Sequence, residues 1–178
     1  MQSEQPNIYE QVFACWLSEN RIPFQSVEQL KRFTDQQADI KNFDFLIAGD
    51  TAFPVLVELK GRTFHGASLA GLKGLDGWVT LEDVEALSYW QSFFQREKPG
   101  SRAFFVFVFR LEQIDVETDG QAVYDFENDR FLLLSVPLER YRACMKQRSP
   151  KWQTVTVSAE DFRRYAMPVR DVFFDTEK

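Results

Sequence analysis

Cysteine and histidine are scarce in this 178-residue chain, with two cysteines (Cys15 and Cys144) and one histidine, His65. Two cysteines without metal-ligand spacing make neither a disulfide framework nor a zinc knuckle. Both fall in stretches that read as helices, so free, buried thiols are expected. No apolar run is long enough to cross a bilayer. The start, Met1-Gln-Ser-Glu-Gln-Pro-Asn7, has neither the basic nor the apolar region of a signal peptide. A cytoplasmic location without a membrane partner is therefore expected. Internal repeats and low-complexity linkers are missing too, which points to one domain over residues 1–178. Nor is there a surplus of positive charge: 21 Lys and Arg stand against 27 Asp and Glu, for a net charge of −6. That balance, with a sequence pI near 4.9, argues against a broad, non-specific grip on nucleic acid.

What is abundant is apolar and aromatic. Hydrophobic residues make up 44% of the chain and charged residues 27%, the balance of a globular protein. Eighteen phenylalanines imply an aromatic core. Ile8, Tyr9, Val12, Phe13, Trp16 and Leu17 recur at the helical period, predicting a helix over Asn7 to Asn20 that Arg21-Ile22-Pro23 ends. Two alternating runs, Asn42 to Ala48 and Val55 to Lys60, flank the turn chemistry of Gly49-Asp50-Thr51-Ala52-Phe53-Pro54, which predicts a β-hairpin. The segment from Gly61 to Gly77 holds five of the eight glycines and reads as a mobile loop. Thr80 with Asp83 three residues on is a capping-box pattern. It opens a helix with Val84, Leu87, Gln91 and Phe94 on one face, running to about Glu97, before Pro99-Gly100.

Ala103 to Leu111 is almost wholly apolar and reads as a strand buried on both faces. Phe131 to Val136 and Thr154 to Val157 read as further strands, Pro137 to Gln147 as a helix with proline in its first turn, and Ser158 as the cap of a short helix ending at Tyr165. The order predicts an α/β domain, a mixed β-sheet flanked by helices.

Alternation along the hairpin places Leu56, Glu58 and Lys60 on one face of its second strand. It places Asp44 with Leu46 and Ala48 on the first, opposite Phe43, Phe45 and Ile47. A hairpin symmetric about Thr51 sets Asp44 directly across from Glu58, with Cβ atoms roughly 5 Å apart. Two carboxylates so close repel unless a cation lies between them. A divalent cation such as Mg²⁺ takes one or two carboxylates plus waters and phosphate oxygens. Lys60, on the same face, can reach that spot and hold an attacking water.

An Asp on the first hairpin strand followed by Glu-x-Lys on the second resembles the PD-(D/E)XK nuclease superfamily. Ile8-Tyr-Glu-Gln-Val-Phe-Ala14 resembles, more narrowly, the helix motif of its HYExAFE-type branch. Asn42-Phe-Asp-Phe-Leu-Ile47, Val57-Glu-Leu-Lys-Gly-Arg62 and Trp78-Val-Thr-Leu-Glu-Asp83 fit that branch as well. Ile8 replaces the family histidine, Ala14 its last glutamate, and Phe43 stands at the proline of the superfamily name. The likeness covers about the first two-thirds of the chain. It implies a restriction-endonuclease-like αβββαβ core and a metal-dependent nuclease acting on DNA, or less readily RNA. Asp44, Glu58 and Lys60 would be its catalytic residues, and Asp44, Glu58 and Glu10 its ligands for Mg²⁺ or Mn²⁺. A homodimer would fit cutting of both strands of a duplex. The alternative is a catalytically inactive nuclease-like fold that binds nucleic acid or a protein.

Substrate contacts would come from Arg62, Lys73 at the tip of the glycine segment, and Gln91, which follows Glu85 and Ser88 on successive turns of its helix. A polar helix face is the plainer reading of Glu85, Ser88 and Gln91. Tyr89 and Trp90 could stack on a base, yet aromatics at helical spacing are usually core. His65 follows the site by five residues and is not needed if metal and lysine activate the water. The glycine segment lacks phosphate-cradle spacing.

Overall fold

The helical period at the N-terminus becomes helix α1 (Ile8–Glu19) in the computed structural model, which describes residues 7–26, 40–48 and 53–174. Asn7 caps it, its Oδ1 accepting the amides of Tyr9 and Glu10 at 3.0 Å each. Val12, Phe13 and Leu17 face inward. At the far end Arg21 takes the left-handed region (φ 58°), and the Ile22 amide donates back to the Leu17 carbonyl at 2.9 Å. Those bonds satisfy the last helical carbonyls and turn the chain into Pro23.

Strands β1 (Phe24–Ser26), β2 (Phe45–Ile47) and β3 (Val55–Phe64) follow as an antiparallel set. The β2–β3 register pairs Phe45 with Val57, Leu46 with Leu56 and Ile47 with Val55, the register expected of the hairpin. Gly49 to Ala52 of its connection, and Met1 to Pro6, lie outside the described residues. A two-residue strand, β4 (Val79–Thr80), leads into helix α2 (Leu81–Glu97). Both halves of the expected capping box form: the Asp83 amide donates to Thr80 Oγ1 at 3.1 Å, and the Thr80 amide donates to Asp83 Oδ2 at 2.9 Å. The helix returns the chain to β5 (Arg102–Leu111), parallel to β3 over ten residue pairs from Val55 with Arg102 to Phe64 with Leu111.

Strands β6 (Val123–Phe126) and β7 (Asp129–Pro137), helix α3 (Leu138–Cys144), and strands β8 (Lys146–Ser149) and β9 (Thr154–Thr156) come next. Helix α4 (Ala159–Tyr165), strand β10 (Met167–Pro168) and helix α5 (Arg170–Phe173) complete the order. Among the described residues one sheet runs β1-β2-β3-β5-β7, with β6 and β10 sharing the outer edge of β7; a second, small sheet runs β4-β9-β8. The fold is mixed α/β, a sheet of parallel and antiparallel strands flanked by helices, and its first six main elements run helix, three strands, helix, strand.

Alternation divides the core between the two faces of the sheet. Val55, Val57, Leu59, Phe104, Val106 and Val108 pack with α1 residues Val12, Phe13 and Leu17. Leu56, Phe105, Phe107 and Phe109 pack with Val84, Leu87 and Trp90 of α2 and with Tyr141. Strand β5 is therefore buried on both sides, as its composition implies.

Three expectations change. The glycine segment is not loop throughout, because β3 continues to Phe64. At Gly61 the Tyr9 ring lies against the backbone so closely that a Cβ there would meet Tyr9 Cδ2 at 2.1 Å. Gly61 thus serves the docking of α1 on the sheet. The helix expected over Pro137 to Gln147 stops at Cys144, and the chain turns into β8, whose pairing with β9 satisfies the backbone that more helix would have satisfied internally. Finally, Phe43 does not share a side with Phe45: it packs edge-on against Trp90 (5.9 Å) and Phe94 (6.1 Å) of α2, whereas Phe45 packs on Phe13 (5.1 Å) of α1. The alternation breaks at Asp44, for the reason given next.

Candidate functional site

Asp44 leaves the hairpin ladder one residue beyond Phe45. Its amide donates to the Val57 carbonyl (2.9 Å), one position off the register of β2, and its Oδ2 accepts the Leu59 amide at 2.7 Å. A side-chain oxygen thus takes a strand amide that a regular ladder would give to a main-chain carbonyl. That exchange bends the chain, turns Phe43 toward α2, and holds the Asp44 carboxylate against β3 beside Glu58.

Glu58 and Lys60 point from β3 to the α2 side, where they meet Asp83 and Lys41. Glu58 is 3% exposed and Asp83 2%. Lys41 Nζ lies 2.8 Å from Glu58 Oε1 and also pairs with Asp83 Oδ1. Lys60 Nζ lies 2.9 Å from Glu58 Oε1 and 2.7 Å from Asp83 Oδ2. Two ammonium groups alternate with two carboxylates, each cation bonded to both acids. The Trp90 indole fixes Lys41 from behind, donating to its carbonyl at 2.9 Å.

The acids respond differently to similar burial. For Asp83, burial favours the neutral form, but Lys60 and the hydrogen bonds from Lys41, Lys60 and the Thr80 amide win, holding its carboxyl well below the usual range. For Glu58, burial and then the neighbouring Asp44 charge push the carboxyl up to about 7 in spite of both lysines. Burial raises Asp44 as well, against the Leu59 hydrogen bond and the Lys60 charge, and Glu10 adds to the rise. Lys41, partly desolvated, is held charged by Glu58 and Asp83. Asp44 therefore feels Glu10, and Glu58 feels Asp44, as like charges, while Asp83 is offset by the lysines.

Whether those residues suit a divalent cation can be judged from their free oxygens. Both lysines bond Oε1 of Glu58, and the Leu59 amide bonds Oδ2 of Asp44. Oε2 of Glu58 and Oδ1 of Asp44 have no hydrogen-bond donor among the described residues. Among those residues no three of His, Cys, Asp and Glu converge tightly enough to grip a metal alone. A buried and a half-buried carboxylate that repel each other, completed by waters and substrate oxygens, are the donor set that Mg²⁺ accepts, so the fit is to a two-carboxylate site. Glu10, whose Oε1 accepts from Asn7 Nδ2 at 2.8 Å, is near enough to act on Asp44 electrostatically and so to join through water.

The remaining expected residues are placed as follows. Arg62 is half-buried, donating to the carbonyls of Gly61 and Trp78 at 2.8 Å each with its guanidinium 4.2 Å from the Trp78 ring. Its Nε has no partner among the described residues. Lys73 is exposed beyond the single 3₁₀ turn Ala70–Leu72. Gln91 is buried, and its amide donates to Glu139 of α3 at 2.8 Å, a contact that joins two helices. Trp90 belongs to the core, and Tyr89 packs against it. His65 pairs with Glu112 at the surface, 2.7 Å away. Both cysteines are free and half-buried.

Lys41 and the second role of Asp83 escaped the sequence reading. Asp83 was visible only as a capping residue; the further signal was that its helix must lie on the face of β3 that carries Glu58 and Lys60. For Lys41 the signal was weak, a lone lysine three residues before Asp44. No family model and no curated protein matches the chain.

Proposed function

We propose that the chain is a metal-dependent nuclease of the PD-(D/E)XK type, hydrolysing phosphodiester bonds in DNA and less readily RNA. The observation that carries the reading is the buried Glu58 carboxylate beside the half-buried Asp44 carboxylate, each with one oxygen free of donors among the described residues, next to Lys60. The helix–three strands–helix–strand order around them supports it. Asp44 and Glu58 would hold Mg²⁺ or Mn²⁺, with Glu10 assisting. Bound there, the cation supplies positive charge at the phosphate and acidifies a water. Lys60 carries three donors on a stem anchored in β3. Its ammonium orients the attacking water and stabilises charge building on the phosphoryl oxygens. Asp83, its Oδ2 at 2.7 Å, sets the place of that ammonium.

The test is cleavage of labelled duplex DNA, single-stranded DNA and RNA with Mg²⁺, Mn²⁺ or EDTA, comparing wild type with Lys60→Ala. Metal-dependent cutting that falls about 10²- to 10³-fold in the mutant is expected, the size of losing one stabilising donor. Full activity in the mutant would remove the mechanism.

A second reading, the same fold binding nucleic acid or a protein without cutting, draws on Lys41. Its ammonium already sits on Glu58 and Asp83, supplying positive charge where a catalytic site would use a metal. Calorimetry with Mn²⁺ separates the two, since a site satisfied by Lys41 takes up no metal.

A further inference from the structure

The chain is acidic overall, yet its densest run of cations lies in one stretch. Arg140 to Lys151 holds five cations, Arg140, Arg142, Lys146, Arg148 and Lys151, and no acid, in a protein of net charge −6. Part of that stretch is β8, the outer strand of the small sheet, where Lys146, Gln147 and Arg148 are all exposed. At the tip of the β8–β9 hairpin stands Trp152, 69% exposed, with Lys151 Nζ 5.1 Å from its ring centroid. An aromatic face and a cation thus stand open to solvent together at the tip.

The hairpin is tied to the candidate site. Strand β9 pairs with β4, Val155 opposite Val79 and Thr154 opposite Thr80. At its tip Gln153 takes the left-handed region (φ 46°), and its carbonyl accepts the amide of Leu81 at 2.8 Å, one of the first free donors of α2. Asp83 lies two residues further on. On the other side, the Arg148 guanidinium lies 5.1 Å from the Trp78 ring, the same ring that Arg62 covers at 4.2 Å. Cations and an aromatic thus continue from the end of β3 out to the hairpin tip.

We propose that the β8–β9 hairpin is a docking arm for an unpaired nucleic-acid strand, which deepens and rests on the nuclease reading above. Trp152 stacks on a base, an interaction open only to bases not already stacked in a duplex. Lys146, Arg148 and Lys151 follow the phosphates, and Trp78 with its two arginines carries the path toward Asp44, Glu58 and Lys60. On a chain of net charge −6 this dense run of cations is where a polyanion is drawn in.

The experiment is fluorescence anisotropy with labelled oligothymidylate, oligouridylate and a blunt duplex of equal length, in EDTA and at low salt, so that nothing is cut. Wild type should bind either single strand in preference to the duplex. Trp152→Ala should weaken single-strand binding roughly 5- to 100-fold, and Trp152→Phe should recover most of it. The triple variant Lys146→Gln, Arg148→Gln, Lys151→Gln should flatten the slope of log affinity against log salt by about 2. Circular dichroism checks that each variant is folded. Equal affinity in wild type and Trp152→Ala, a preference for the duplex, or no binding at all overturns the proposal. Because binding is read without metal, the arm and the nuclease can fail separately: hairpin-dependent binding without cleavage in Mg²⁺ leaves the arm standing and removes the enzyme.

Discussion

The two sides of β3 are built from the same ten residues and do opposite things. Toward α1 the strand presents Val55, Val57 and Leu59, and the packing there is apolar and aromatic. Toward α2 it presents Leu56, then Glu58 and Lys60, which pair with the buried Asp83 and the exposed Lys41 beside a core made of phenylalanine, leucine and valine. One side is stabilised by removing apolar surface from water. The other carries desolvated charges that are favourable only while every partner is present. The polar face is the one that the proposed chemistry would use.

The comparison can be broken at either face. The largest effect should come from Asp83→Ala, which strands two lysines and removes a helix cap. It should destabilise by about 3–5 kcal/mol, read by urea unfolding; a loss under about 1 kcal/mol would mean the cluster is effectively solvated. On the apolar side Leu17→Ala should lose about 3 kcal/mol, by an amount that does not vary with pH. Gly61→Ala should lose about 1–3 kcal/mol as its new Cβ forces the Tyr9 ring away. If calorimetry shows that this variant also loses Mn²⁺ affinity, Glu10 matters to the site.

The smallest effect is a pH slope measured in EDTA. Glu58 holds its proton to about pH 7 when folded but only to its ordinary 4.5 when unfolded. The folded chain therefore binds more protons across that window. The stability this contributes is fully present below about pH 4.5 and is lost as pH rises through about 7. The stability of wild type relative to Glu58→Gln should decline across the same window. A level difference would show that the lysines leave Glu58 ionised throughout.

Much of the frame was legible because it rests on short-range rules. The period of Ile8 to Leu17, the Thr80–Asp83 box and the apolar run in β5 each determine an element locally. The hairpin register followed from turn symmetry and alternation. What alternation missed was Asp44 trading a side-chain oxygen for a ladder position, because a strand pattern contains no signal for a residue that leaves the strand. Lys41 and Asp83 join the site only through the packing of α2 on the sheet, a contact between segments about 40 residues apart in sequence. Gly61 was misread because its reason, the Tyr9 ring, is likewise distant. The strands β8 and β4 are short and satisfied mainly by β9, so their own residues say little.

The placing of strand lengths has a further outcome. The ten-residue strands β3 and β5 lie in the interior of the sheet, whereas its margins are β1 with three residues on one side and β6 and β10, with four and two, on the other. Among the described residues, unpaired edge groups thereby fall on short stubs, and the exposed margin of the small sheet is lined by Lys146 and Arg148, which repel a like strand. Among the described residues, the edges thus give a second copy little template for adding strand to strand.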